Sequence, residues 1–181
     1  MRQSTYEALI EYERGGSELS HLVLYTLAIT GARFSEIANI TYDDLQQPKN
    51  LIHVRCTKTK TSDRVIPILQ KAKQHIINEV NKRPHNLNNY LFYTGISVIS
   101  NNAVAKALHR FLLKNNIVYY TLHALRHTHA SVFLKQGFPI QYISKRLGHS
   151  DIEVTLRVYS HLLNEQREKE NDKLVAFLKK Y

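Results

Sequence analysis

The stretch LHALRHTHASVFLKQG (122–137), continued by FPIQYISKRLGHS (138–150) and DIEVTLRVYSH (151–161), decides the reading of this chain. Apolar residues recur at helical spacing throughout, and glycine and proline cut the stretch into three. Gly137 suits the C-cap of a helix over 122–136. Pro139 suits the first turn of a second helix over 139–147, which Gly148 ends. Asp151 caps a third, over 151–160. On the first of these helices His123 and Arg126 lie three apart and share a face. The short links at Gly137 and Gly148 allow His149 and Tyr159 to return toward that face.

Moving upstream, Ser100 or Asn101 starts a helix that runs to about Lys114 and carries Val104, Leu108, Phe111 and Leu112. The segment RPHNLNN (83–89) reads as a loop, and YLFYT (90–94) as a short strand or extended insert. ILQKAKQHIINEVNK (68–82) has the apolar spacing of a surface helix. LIHVRC (51–56) and RVIPI (64–68) alternate as strands, and TKTKTSD (57–63) forms the hairpin tip between them. HLVLYTLAIT (21–30) is apolar nearly all round, the mark of a buried helix. Ser17 caps it, with Ser20 as the alternative start, and Gly31 breaks it. ARFSEIANI (32–40) resumes the helix with Arg33 and Glu36 three apart, and 41–44 reads as a turn. STYEALIEYE (4–13) predicts a short leading helix, ended by Gly15 and Gly16. Residues 162–180 form a charged amphipathic segment bearing Leu163, Leu174, Phe177 and Leu178. The expectation is a single domain over 1–181, mainly α with a small antiparallel β-sheet (α+β). Its core covers about 17–162, followed by a C-terminal helix over 163–181.

A chain of 181 residues, 43% of them hydrophobic, buries a core without staples. Its one cysteine, Cys56, excludes an internal disulfide framework and a cysteine-rich zinc site. No apolar run approaches the ~18 residues that span a membrane, and the first residues lack a signal-peptide core. A soluble, cytoplasmic protein is expected. Lys and Arg number 25 against 15 Asp and Glu, a formal charge of +10 that predicts a polyanionic partner. Charge alone leaves nucleic acid and an anionic membrane both open. Because the basic residues are interleaved with apolar positions, folded elements rather than a tail carry the charge.

Arg33 within TGARFSE (30–36), a hairpin lysine, His123-x-x-Arg126, Leu147-Gly148-His149, and Tyr159 ten residues after His149 occur in that order. The ordered set resembles the tyrosine recombinases, the phage-integrase family of site-specific DNA recombinases, over about 17–162. Any one motif is weak; five in order are highly specific. The resemblance implies the catalytic-domain fold of these DNA breaking and rejoining enzymes. It also implies double-stranded DNA as partner, a homotetramer on DNA from a fragment that alone is monomeric, and a bacterial or phage-infected cytoplasm. The family's N-terminal core-binding and arm-binding domains are expected to be absent from this chain. Integration or excision of a phage or mobile element is the implied biological act.

The chemistry that the resemblance implies explains these residue types. A tyrosine hydroxyl, that of Tyr159, attacks the scissile phosphate and expels a 5′-hydroxyl, leaving a 3′-phosphotyrosyl link that a second 5′-hydroxyl resolves. The link retains the bond energy, so neither ATP nor any other cofactor is needed, and no metal is expected. Arg33 and Arg126 clamp the charge that gathers on the phosphoryl oxygens. His123 is the candidate to take or share the Tyr159 proton, His149 donates to a non-bridging oxygen, and a hairpin lysine protonates the leaving oxygen. Lys58, followed by Thr59, is preferred for that role, with Lys60 as the alternative. Glu36 orients Arg33.

Two other readings bear on the same residues. His123 and His127 are spaced to chelate zinc on one helix, but Arg126 stands where a zinc protease needs its glutamate and would repel the ion. His127 and His129 are therefore expected to pack or to support the site. A non-catalytic DNA-binding module of the same fold and a type IB topoisomerase-like nicking and resealing enzyme are the functional alternatives. The C-terminal helix docks either on its own domain or on a neighbouring subunit.

Overall fold

The computed structural model describes residues 1–16, 18–48, 50–55, 63–84, 86–149 and 151–179. Lys58, Lys60, Cys56 and Ser17 lie outside the described residues. The chain order is α1 (Gln3–Arg14), α2 (Leu19–Thr30), α3 (Phe34–Ala38), α4 (Tyr42–Leu45), β1 (Leu51–Val54), β2 (Arg64–Pro67), α5 (Gln70–Asn81), α6 (Asn101–Lys114), α7 (Leu122–Lys135), α8 (Ile140–Leu147) and α9 (Ile152–Leu178). β1 and β2 pair antiparallel, with Leu51 opposite Pro67 and Val54 opposite Arg64. The expected α+β architecture is present.

The fold is organised around α2. Ten of its twelve residues are buried, and it packs against α1, α3, α5, α6 and α7. A helix so enclosed needs its polar groups satisfied from within. The hydroxyls of Thr26 and Thr30 accordingly donate to the carbonyls of Leu22 and Thr26, at 2.8 and 2.7 Å. Glu18 is the N-cap residue of α2, and Ser20 lies inside it. α1 joins the same core through Leu9, with Ile10 packed against it, so the packed body reaches farther toward the N-terminus than the sequence pattern suggests.

A second, smaller core lies under α7, α8 and α9 and contains Ala130, Leu134, Ile143, Leu147, Tyr159 and Leu162. α7 therefore belongs to both cores, and the residues on its exposed face stand at the seam. Thr121 caps α7 by accepting from the Ala124 amide at 3.2 Å. Asp151 caps α9 by accepting from the Glu153 amide at 2.8 Å.

Three local expectations are corrected. Residues 41–44 are not an open turn: Thr41 and Asp44 form a reciprocal capping box that winds α4. The helix expected over 151–160 does not end there; it continues as the 27-residue α9 to Leu178, because no glycine or proline interrupts the run. Pro139 stands at the N-cap of α8 rather than within its first turn. Among the described residues no helix is long and apolar enough to cross a membrane.

Candidate active site

Gly31 begins the site. It closes α2 in the left-handed conformation, φ 67°, which a side chain resists. A Cβ there would also sit 2.6 Å from the His129 ring. The turn places Arg33 at the head of α3 and presents the Gly31 carbonyl to Arg126, whose Nη1 donates to it at 3.0 Å. Arg33, Ser35, His123 and Arg126 line one cavity of about 310 Å³ between α3 and α7.

Arg126 is only 3% exposed. Its Nη2 is buried and makes no hydrogen bond among the described residues. A buried guanidinium nitrogen without an acceptor is costly, and such an orphan marks a place where an acceptor is missing. Burial, and then repulsion from Arg33, lowers the Arg126 pKa to about 10, so it stays protonated at neutral pH. Glu36 balances part of this charge. Its Oε1 accepts from Arg33 Nη1 at 2.9 Å, and its Oε2 accepts from the Arg33 backbone amide at 2.8 Å.

Arg64, at the start of β2, was not singled out in the sequence. Its Nη1 and Nη2 donate to both Glu36 oxygens at 3.2 and 2.9 Å, and its Nε donates to the Arg146 carbonyl at 2.7 Å. It thereby ties the hairpin to α3 and to the C-terminus of α8. Gly148 ends α8 in the left-handed conformation, and a Cβ on it would collide with Arg64 at 2.5 Å. Next comes His149, whose Nδ1 lies 2.6 Å from the Thr155 hydroxyl on α9. With the hydroxyl donating, the proton of neutral His149 sits on Nε2, free to be given to a ligand. Burial, then Arg126, Arg33 and Arg64, lower the His149 pKa to about 4. His149 thus belongs electrostatically to the same cluster.

Tyr159 projects from α9 into the small core and is 3% exposed. Its hydroxyl lies 2.9 Å from Nδ1 of His127, not against His123, the partner expected from the sequence. The reason is helical geometry. His123 faces the cavity beside Arg33 and Arg126, whereas His127, one turn along α7, faces α9. The two imidazoles meet edge to face, 4.7 Å between centroids. Burial raises the Tyr159 pKa to about 12 against the pull of Arg126. From that value, ionising the phenol at pH 7 costs about 7 kcal/mol. Burial, then His123 and Arg126, lower the His127 pKa, which keeps the ring neutral.

His129 supports rather than lines the site. Its Nδ1 bonds to the Ala28 carbonyl at 3.0 Å and its Nε2 accepts from Arg146 Nε at 3.0 Å. Arg146 also donates to the carbonyls of Pro67 and Ile29, both at 3.0 Å. This buried cation pins α8 to β2 and α2. The structure therefore gathers Arg33, Glu36, His123, Arg126, His149 and Tyr159 at the seam of the two cores. Lys58 and Lys60 belong to residues the structure does not describe.

Two helical cores around a small hairpin, with a cationic, histidine-lined seam and a buried tyrosine, define the class of tyrosine recombinase catalytic domains. The model of the phage integrase family matches residues 1–166, and the chain belongs to that family. It is 31% identical over 156 residues to tyrosine recombinase XerA of Pyrococcus furiosus, covering 83% of this chain and 54% of the relative. It is 24% identical over 169 residues to transposase A from transposon Tn554 of Staphylococcus aureus, covering 84% and 46%. The Tn1549 transposon integrase, solved in complex with transposon right end DNA, superposes with a TM-score of 0.75 at 22% identity, covering 97% of this chain and 65% of that one. The chain spans about half the length of the curated relatives it matches.

Proposed function

We propose that this chain is the catalytic domain of a site-specific DNA recombinase of a mobile element, which cuts and rejoins double-stranded DNA through a 3′-phosphotyrosyl link to Tyr159. One observation carries the reading above all: the buried Arg126 guanidinium offers beside Arg33 and His123 an Nη2 without a hydrogen-bond partner among the described residues. A phosphate oxygen is the acceptor that satisfies it. Among the described residues, three guanidinium groups, on Arg33, Arg64 and Arg126, act on the one carboxylate of Glu36, so the seam favours an anion.

The reaction follows from these groups. Arg33 and Arg126 hold the non-bridging oxygens of the scissile phosphate, and preorganised donors of this kind are worth about 3–4 kcal/mol each in the transition state. His149, its ring fixed by Thr155, donates Nε2–H to the same oxygens. Tyr159 attacks phosphorus, the phosphorus–5′-oxygen bond breaks, and Lys58 or Lys60 protonates the leaving oxygen. The new ester keeps the bond energy for the reverse attack. Glu36 and Arg64 hold Arg33 at its angle.

Assembly on DNA follows from α9. Leu174, Val175 and Leu178 are more than half exposed near its end, which leaves an apolar stripe available to a neighbouring subunit. A neighbouring copy offers an apolar groove of about 530 Å³ whose lining includes Tyr6, Ile10, Tyr25, Phe133, Phe138 and Tyr142. A homotetramer linked by these helices fits the reading.

The test is an SDS-resistant adduct. The protein is incubated with a pool of nicked duplexes of randomised sequence, and covalent complexes are recovered and sequenced. The wild type yields an enriched duplex linked through Tyr159, and Tyr159→Phe binds that duplex without linkage. A wild type that binds DNA but yields no adduct overturns the enzyme reading in favour of a binding module.

A further inference from the structure

We propose that His127, rather than His123, is the base that takes the proton of the attacking Tyr159 hydroxyl. The inference rests on Tyr159 being the nucleophile and adds the group that activates it.

Geometry comes first in choosing a general base. Nδ1 of His127 lies 2.9 Å from the Tyr159 hydroxyl. Among the described residues the hydroxyl's other partner is the His127 carbonyl at 3.5 Å, which cannot hold a proton. With Tyr159 buried at 3% exposure, bulk water is a poor acceptor. The proton must pass to a neighbouring group, and the imidazole of His127 is in place.

The surroundings of His127 suit it to this work. His123 and Arg126 face it from its own helix, Tyr159 from α9, and His149 lies close enough to feel its charge. None of these is a carboxylate, so among the described residues no anion holds a proton on His127 before the reaction, and its lowered pKa agrees. His123 is placed for another task. It lines the cavity with Arg33 and Arg126, on the side where a phosphate would sit, and there it serves as a donor to oxygen.

The step balances. The tyrosyl oxygen bonds to phosphorus as its proton moves to His127 Nδ1, and the phosphorus–5′-oxygen bond breaks as that oxygen gains a proton from the hairpin lysine. Reversal returns both protons. No oxidant, metal or nucleotide enters.

The experiment uses the full chain and the duplex enriched by the wild type, and follows adduct formation against pH. Wild-type rate falls on the acid side as His127 protonates. His127→Gln is expected to form adduct about 10²–10⁴-fold more slowly at neutral pH, to lose the acid limb, and to speed up steadily as pH rises. His123→Gln keeps the acid limb. Installing 3,5-difluorotyrosine at position 159, whose phenol ionises more readily, restores much of the rate to His127→Gln. An unchanged rate and acid limb in His127→Gln overturns the proposal, and so does failure of the acidified phenol to restore a slow variant, since the loss is then one of structure. If the wild type itself forms no adduct, the nucleophile assignment falls, and the role of His127 with it.

Discussion

The guanidinium of Arg64 grips both oxygens of the Glu36 carboxylate, Nη2 at 2.9 Å from Oε2 and Nη1 at 3.2 Å from Oε1. The side chains are 8% and 1% exposed, so this fork-to-fork pair is held away from water. Burial opposes ionisation of Glu36, but the bonds and charges of Arg64 and Arg33 prevail and hold its carboxyl below the usual carboxylate range. Arg64→Ala is expected to cost about 3–5 kcal/mol in urea unfolding, because it strips a buried carboxylate of its main partner. Arg64→Lys recovers part of that, since an ammonium cannot reproduce the bidentate grip. A depressed folded pKa contributes stability that is present above the unfolded value and lost as pH falls through the folded one. Glu36→Gln should therefore flatten the acid side of the stability curve.

Glu13 behaves in the opposite sense. It is fully buried on α1, with Oε2 2.6 Å from Nδ1 of His21. Burial pushes its pKa from 4.5 up to about 8, against the pull of Arg110 and with help from Glu18. A raised folded pKa contributes stability that is full below pH 4.5 and is lost as pH climbs through about 8. Glu13→Gln should change little near pH 4.5 and stabilise the protein at pH 9, by on the order of 5 kcal/mol. Unfolding by urea at the two pH values checks this. Equal effects at both would place the Glu13 titration elsewhere.

The hairpin lysines are separable by leaving-group chemistry. Lys58→Ala should form adduct slowly on an ordinary nicked duplex and at near wild-type rate on one with a 5′-bridging sulfur, because a thiolate leaves without protonation. Lys60→Ala should be close to wild type on both. If the sulfur substrate rescues Lys60→Ala and not Lys58→Ala, the assignment is reversed.

Residues 172–179 are exposed and belong to neither core, so deletion of 172–181 is expected to leave the packed body intact. The unfolding free energy should stay within about 0.5 kcal/mol of wild type. Assembly on DNA should instead fall from tetramer toward monomer, measured by light scattering of the protein with its enriched duplex. A truncated protein that still assembles fully would place the subunit contact outside α9.

The order of Arg33, His123, Arg126, His149 and Tyr159 was legible in the chain, as were the hairpin, the buried α2 and the breaks at Gly31 and Gly148. Those features are local: side-chain periodicity sets the elements, and glycine sets the turns, within a few residues of where they are read. What the linear pattern did not disclose is which groups touch. Arg64 looked like an ordinary strand residue, and only the approach of α3 and α8 makes it the brace of Glu36. His127 looked like packing, and only the angle between α7 and α9 sets its Nδ1, rather than His123, against the Tyr159 hydroxyl. Contacts between residues 28 or 32 positions apart depend on how helices cross, and crossing is fixed by the whole buried surface and by no single segment.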